Sequence, residues 1–354
     1  MLLAQMVLGA CLALLLQSLP PARPGSSASV EVQIPDTTLW VSFEAPAWSH
    51  DAQLETRLSE QYGRGALTAG RFGRATLTLR HLPAGERRSS QAWRDELGNG
   101  THFEVGPVAC LRTEQRLPGD ERAMVRFTAL PVSGGHVFQL HVNSLRLADD
   151  DACSQNQFEA IVRSWRLQSV RRGRPSDLPI AVRDELHGGL MAWPRWEEAL
   201  PAEEEPTPVR LFARAELGLL AQRDTDESGR EHARAREQLA RIESPSREER
   251  ALLLACEDAL GRAALERGAA ELAATHLERA TQLAVALSHS GRGSIELDHA
   301  RALARLGRDD AALDALARAL AVETRLLLRA REEPDFARLH ASPRFRELVH
   351  LSDE

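Results

Sequence analysis

Two histidines, an acidic triplet and three cysteines are the residues of this chain whose types and spacing could do chemistry. His136 and His141 stand five positions apart in a segment that reads as a strand, so their side chains fall on opposite faces and a shared metal ion is disfavoured. Asp149-Asp150-Asp151 precedes a helical stretch that begins near Ser154. A calcium loop would need more oxygen ligands and a glycine turn, so acids favoured by a helix N-terminus are the better reading. Cys110 and Cys153 are the cysteines of the first folded segment. In an oxidising compartment they would be able to pair, and closing a loop of that length would stabilise the fold by about 4 kcal/mol in the chain-entropy model, provided that their Cα atoms lie close enough. Cys256 shares a helical face with Leu253, Leu260 and Ala263, which reads as a buried, inert thiol. Asn99-Gly100-Thr101 matches a glycosylation sequon that is accidental in a bacterial chain. Metalloprotease, dithiol, nucleophile-elbow, phosphate-loop and dinucleotide patterns are all missing from the sequence. The expectation is therefore no catalytic residue, no cofactor and no metal.

The scaffold that would hold these residues has 354 positions, 43% of them apolar and 27% charged, which suits two ordinary soluble domains. All 44 basic side chains are arginine and the formal net charge is −7. A GC-rich genome produces that arginine bias without selection for phosphate binding. The acidic balance also excludes broad nucleic-acid affinity, which depends on phosphate neutralisation and counterion release. Proteins are the expected partners.

Residues 1–19 form a nearly continuous apolar run that Pro20-Pro21 ends, as in a secretory leader. The reading is a signal peptide over residues 1–28, with Ser26 and Ala28 supplying the small residues of a cleavage site. The run is also near the ~18 residues at which an apolar stretch becomes a spanning candidate, so a retained anchor is the alternative. Leu8-Gly9-Ala10-Cys11 resembles a bacterial lipoprotein box, which would make Cys11 a lipidated N-terminus. The chain is expected to be exported, to the periplasm or cell envelope, and to meet membrane only if the leader is retained or Cys11 is lipidated.

Residues 29–170 read as an α+β domain. Alternating apolar segments at 30–34, 39–43, 75–79, 108–111, 124–130 and 137–142 predict strands, separated by turns such as Leu117-Pro118-Gly119-Asp120. Helical spacing predicts helices over 52–62, 89–97 and 154–167, the last with Phe158, Ile161, Val162 and Trp165 on one face. An antiparallel sheet with helices packed on it follows. The closing Phe158-Glu159-Ala160-Ile161-Val162-Arg163-Ser164-Trp165 and the early Leu39-Trp40-Val41-Ser42-Phe43 with Pro46 and Trp48 resemble the PsbP, Mog1 and DUF1795 group of α+β domains. That resemblance implies a binding or assembly module with no shared catalytic residues.

Residues 171–207 read as a linker, with loop-like Arg171-Arg172-Gly173-Arg174-Pro175 and Glu203-Glu204-Glu205-Pro206. Trp193-Pro194-Arg195-Trp196 is too aromatic for a solvated tether and is expected to dock on a neighbour or, alternatively, to stack on a ligand.

Residues 208–354 read as an all-α repeat domain. Gly229, Gly268 and Gly307 are evenly spaced (268 − 229 = 39, 307 − 268 = 39) and are expected to mark the turns that open new helices. Ala273, Ala280, Ala312 and Ala319 fall where paired helices approach closely. Ser244-Pro245-Ser246 with Glu249 predicts a capped helix starting near 246. The run Leu303-Ala304-Arg305-Leu306-Gly307-Arg308-Asp309-Asp310-Ala311-Ala312-Leu313 resembles a tetratricopeptide repeat. The tail, Glu333-Pro334-Asp335-Phe336 to Leu339 and Ser342-Pro343-Arg344-Phe345 to Leu348, is similar to the terminal segment of bacterial arrays of that family. Phe336, Leu339, Phe345 and Leu348 would then cap the open apolar end of the last helix pair.

The sequence thus predicts a non-enzymatic scaffold whose helical repeats bind a protein or peptide. The alternatives are an enzyme with an unrecognised site between the domains, and a small-ligand-binding envelope protein.

Overall fold

The computed structural model describes residues 27–46, 48–72, 75–82, 100–106, 108–116, 123–133, 136–147, 150–151, 153–192, 195–221 and 225–349. The expected leader up to residue 26 with Cys11, the helix expected over 89–97, and Asp149, Trp193 and Pro194 lie outside the described residues. The chain divides into two compact units. One is formed by residues up to Gln168 together with 190–194, the other by 169–189 together with 195 onwards.

The first unit is built on antiparallel sheets. Strand β1 (Ser27–Gln33) pairs with β2 (Leu39–Pro46) in a register that sets Val30 opposite Phe43 and Val32 opposite Val41. It starts two residues inside the expected leader, because Ser27 and Ala28 pair with Pro46 and Ala45. A larger sheet contains β3 (Ser49–His50), β4 (Ala66–Phe72), β5 (Ala75–Leu82), β6 (Thr101–Val105), β7 (Val108–Arg116), β8 (Ala123–Leu130) and β10 (His136–Leu147), in the order β3-β4-β5-β10-β8-β7-β6. The two-residue strands β9 (Val132–Ser133) and β11 (Asp150–Asp151) also pair with β10. Leu77 and Leu79 of β5, Phe127 of β8 and Phe138 and Leu140 of β10 are all buried in its core.

Helix α1 (Ala52–Tyr62) is capped by Asp51, which accepts from the Leu54 amide and is ion-paired to Arg71 at 2.6 Å. Helix α2 (Gln155–Arg163) opens with a Ser154/Gln157 capping box and turns Phe158, Ile161 and Val162 inward at helical spacing. Phe158 stacks on Phe127 at 5.0 Å between ring centroids, and Trp165 lies parallel to Phe43 at 6.1 Å.

Three expectations for this unit change. The helix expected over 154–167 ends at Arg163, and Arg166–Ser169 forms β12 beside β2, because the buried Trp165 and Leu167 need extended backbone to reach the sheet. Strands β4 and β6 were not expected: β4 is assembled from small and polar residues, and β6 is an exposed edge with little apolar alternation. Asp150 and Asp151, expected only as acids ahead of a helix N-terminus, form strand β11 paired antiparallel with β10, just before the Ser154 cap of α2.

The segment expected as a linker, 171–207, is structured. It carries a single 3-10 turn at Pro175–Asp177, helix α3 (Ile180–Met191) and the short α4 (Trp196–Ala199). Val182, Leu186, Trp196 and Leu200 are buried. A stripe of one apolar residue every four, interrupted by Gly188-Gly189, is too sparse to register as a helix in the sequence.

The second unit continues with α5 (Pro208–Leu220), α6 (Thr225–Ala240), α7 (Arg247–Glu266), α8 (Ala270–Leu287), α9 (Arg292–Arg305) and α10 (Asp309–Val322). Each packs on the next. Thr207 caps α5 ahead of Pro208, and Ser246 and Glu249 form the capping box of α7. Gly268 and Gly307, at φ of 75° and 77°, close α7 and α9 rather than open the following helices. In each case the next residue's amide reaches back to a carbonyl of the last turn (Ala269 to Ala264, Arg308 to Leu303), a left-handed cap that favours glycine. Gly229, expected as a turn, instead lies within α6, so the first of the two equal intervals does not begin at a turn.

Ala273, Ala280, Ala312 and Ala319 are fully buried in the seams. After α10 come α11 (Leu327–Glu332), a 3-10 helix (Pro334–Ala341) and α12 (Pro343–Leu348). Phe336, Leu339 and Phe345 are buried in one cluster with Leu313, Leu316 and Leu320, and Leu348 packs against it. No described helix is long and apolar enough to cross a membrane.

Candidate functional site

The expected chemistry of the first unit dissolves into packing. Cys110 and Cys153 are buried thiols that are not bonded to each other, so the anticipated disulfide is not formed. Their thiols instead donate to the Val108 and Ser154 carbonyls, and burial, helped by the Glu159 charge, pushes the Cys110 thiol up to about 12. His141 shares a 2.9 Å hydrogen bond with Thr128. Burial and the charges of Arg126 and Arg80 hold it down at about 3, which keeps the ring neutral near pH 7. Cys256 in α7 is a buried free thiol raised by burial, Glu257 and Glu216. Among the described residues no group of three or more His, Cys, Asp or Glu side chains could hold a metal.

The site worth attention lies in the second unit and was not foreseen. Glu216 on α5, Asp258 on α7 and Asp298 on α9 each keep at most 6% of the side chain exposed, one buried carboxylate on each of three alternate helices. Residues 169–178 lie along them. Arg171 pairs with Glu216 at 3.1 Å. Arg172, itself only 11% exposed, pairs with Asp258 at 2.7 Å and also with Asp298. Gly173, at φ 76°, is set tightly against the turn before α9: a Cβ on Gly291 would come within 2.8 Å of its amide nitrogen. Asp177 then accepts from the Ser290 hydroxyl at 2.5 Å. This is the stretch expected to be a loop-like tether.

Two of these carboxylates, Glu216 and Asp298, are held in the charged form by their partners. Burial raises Glu216, but its 3.2 Å contact with the His232 ring and the charges of Arg171 and Arg262 outweigh it and hold the group at about 2. Asp298 is lowered in the same way: burial opposes, while Arg172, Arg329 and Arg301 prevail. Arg301 bridges Asp298 at 3.0 Å to Glu333 at 2.9 Å and Asp335 at 3.0 Å, and so ties α9 to the capping 3-10 helix.

Two concavities flank Arg172. One is lined by Ser169 to Arg172, Leu178, Phe212, Leu254 and His289. The other is lined by Arg262, Leu265, Asp298, Arg301, Arg305 and Arg329. A second set of buried acids faces the other way: Glu257 takes Arg236 at 3.0 Å and His276 at 2.5 Å, and Glu296 takes Arg292 at 2.6 Å and Arg318 at 3.2 Å. A sequence signal for this existed, since Glu257 and Glu296 keep the repeat interval (296 − 257 = 39), as do Arg262 and Arg301 (301 − 262 = 39).

No family model and no curated protein matches the chain. A solved protein from Bacteroides thetaiotaomicron VPI-5482 aligns over 65% of this chain and 77% of its own, at 9% identity and a TM-score of 0.26.

Proposed function

We propose that the protein is an exported, non-enzymatic scaffold of the cell envelope whose helical unit, a tetratricopeptide-like stack, holds a peptide segment of a partner protein. The sheet unit, which resembles the PsbP and Mog1 group, supplies a second contact. One observation carries the reading: three alternate helices each present a buried carboxylate to a single non-helical stretch of chain, so this face already holds a peptide by its side chains. Charged groups removed from water on one face are costly unless a complementary ligand meets them, and the complementarity runs across successive helices, as in repeat scaffolds.

The test is site-specific photo-crosslinking of the full chain in its own host. A crosslinker at Ala255, on the face that holds the peptide, should give a discrete adduct with another envelope protein, while one at the exposed Leu272 of α8 should not. Identical adducts from both positions, or none from Ala255, would remove the reading.

A further inference from the structure

The peptide that sits on the carboxylates belongs to the chain itself. We propose that Glu216, Asp258 and Asp298 form a socket for a bent Arg-Arg-Gly segment of a partner protein, and that residues 169–178 are a cis-held version of that ligand which the partner segment displaces. This names the partner chemistry for the function proposed above and rests on it.

The chemistry of the socket is specific. Each arginine meets carboxylate oxygens rather than a backbone carbonyl, and the Arg172 guanidinium serves two carboxylates from different helices at once. A planar guanidinium with several donors can do this, whereas a lysine ammonium is a compact point charge with a different hydration cost. The residue after the arginines must be glycine. A Cβ on Gly173 would lie 2.6 Å from Asp177 Oδ2 and 2.7 Å from the His289 ring, and the positive φ there is strained for any other residue. The recognised pattern is therefore two adjacent arginines followed by glycine, in a non-helical conformation. Because the segment is tethered, its effective concentration is on the order of millimolar. A partner segment of the same chemistry competes only when it is presented locally or when the cis copy is loosened.

The experiment uses the full chain with Arg171→Ala and Arg172→Ala together, and a synthetic peptide of residues 167–180 beside its analogue with both arginines replaced by glutamine. The double variant should bind the arginine peptide at least tenfold more tightly than the glutamine analogue, by fluorescence anisotropy, and at least tenfold more tightly than the wild-type chain does. In the wild-type chain, saturating arginine peptide should speed amide exchange within residues 169–178. Should the double variant not fold alone, refolding it with each peptide gives the same reading: recovery with the arginine peptide only supports the socket.

Binding or rescue by both peptides alike, by neither, or no change in exchange in the wild-type chain overturns the proposal. Mixing the double variant with an Asp258→Asn/Asp298→Asn variant tests the remaining occupant. A mixed dimer without free-peptide binding would give the face to a second copy and overturn the partner-segment reading. Failure here together with a discrete crosslink from Ala255 would reject the arginine chemistry and leave the scaffold function standing.

Discussion

The two units solve the burial problem with different materials. The sheet unit buries large rings: Phe127 on Phe158, Phe43 on Trp165, and Phe138 tilted against Trp165 at 5.2 Å. The helical unit buries alanine seams and places arginines against acids that have been taken out of water. Thin seams allow helices to approach closely but bury little apolar area per residue. The ion pairs are therefore better read as fixing which helices and which segment meet than as the main source of stability. An all-apolar core tolerates neighbours of similar shape, whereas a buried charge rejects anything that does not neutralise it.

The sharpest way to break this contrast is Arg172→Ala, which leaves Asp258 and Asp298 buried without their shared partner. Stability of the helical unit should fall by about 3–5 kcal/mol, read by thermal unfolding, and the additional changes Asp258→Asn and Asp298→Asn should return much of it. A small loss for the single variant would mean that the socket is wetter than it looks. In the sheet unit, Phe158→Ala should cost a comparable ~3–5 kcal/mol, but no polar substitution elsewhere should rescue it, since a cavity rather than a charge is left behind. Near-UV circular dichroism would follow the loss of the aromatic stack.

Acid should weaken each unit through identifiable groups. His141 is held near 3, below its ordinary 6.5. The unfolded chain therefore takes up the proton first, and the sheet unit's stability, complete above 6.5, falls as pH drops toward 3 by up to about 1.4 kcal/mol per pH unit. Glu216 is held near 2, below its ordinary 4.5, so its contribution in the helical unit is complete above 4.5 and is lost only as pH drops toward 2. Amide exchange resolved by region should find the sheet unit losing protection between pH 6.5 and 5.5, and His141→Gln should abolish that loss; the helical unit weakens in the same range through His289 and His299, whose rings burial also holds below 6.5.

The smallest effects come from glycines. Gly268→Ala forces a side chain into a left-handed cap and should cost about 1 kcal/mol. Gly229→Ala lies inside α6, where the nearest atom to a new Cβ is the far end of Arg267 at 3.9 Å, and should gain about 0.5–1 kcal/mol. Equal signs for the two would contradict their assignment to a turn and to a helix interior.

Much of the fold was legible locally. The capping box at Ser246 and Glu249, the helix start near Ser154, the inward face of α2 and the apolar tail around Phe336 and Phe345 are written in residue types a few positions apart, because capping and helical periodicity are short-range. The candidate site was not legible. Arg171-Arg172-Gly173 has the composition of a solvated loop, and nothing within ten residues of it names Glu216, Asp258 or Asp298 as partners. The same limit explains Gly229: equal spacing was visible, but the sign of φ was not.

By itself, then, the chain determined an α+β half, a helical half and the 39-residue spacing between Gly268 and Gly307, since these follow from side-chain period and backbone preference. Tertiary structure alone decided that two cysteines stay apart, that an arginine pair becomes the ligand of three carboxylates, and that the tether belongs to the helical unit. Those outcomes depend on which charges meet when water leaves, and that pairing acts across 45 to 126 residues of sequence.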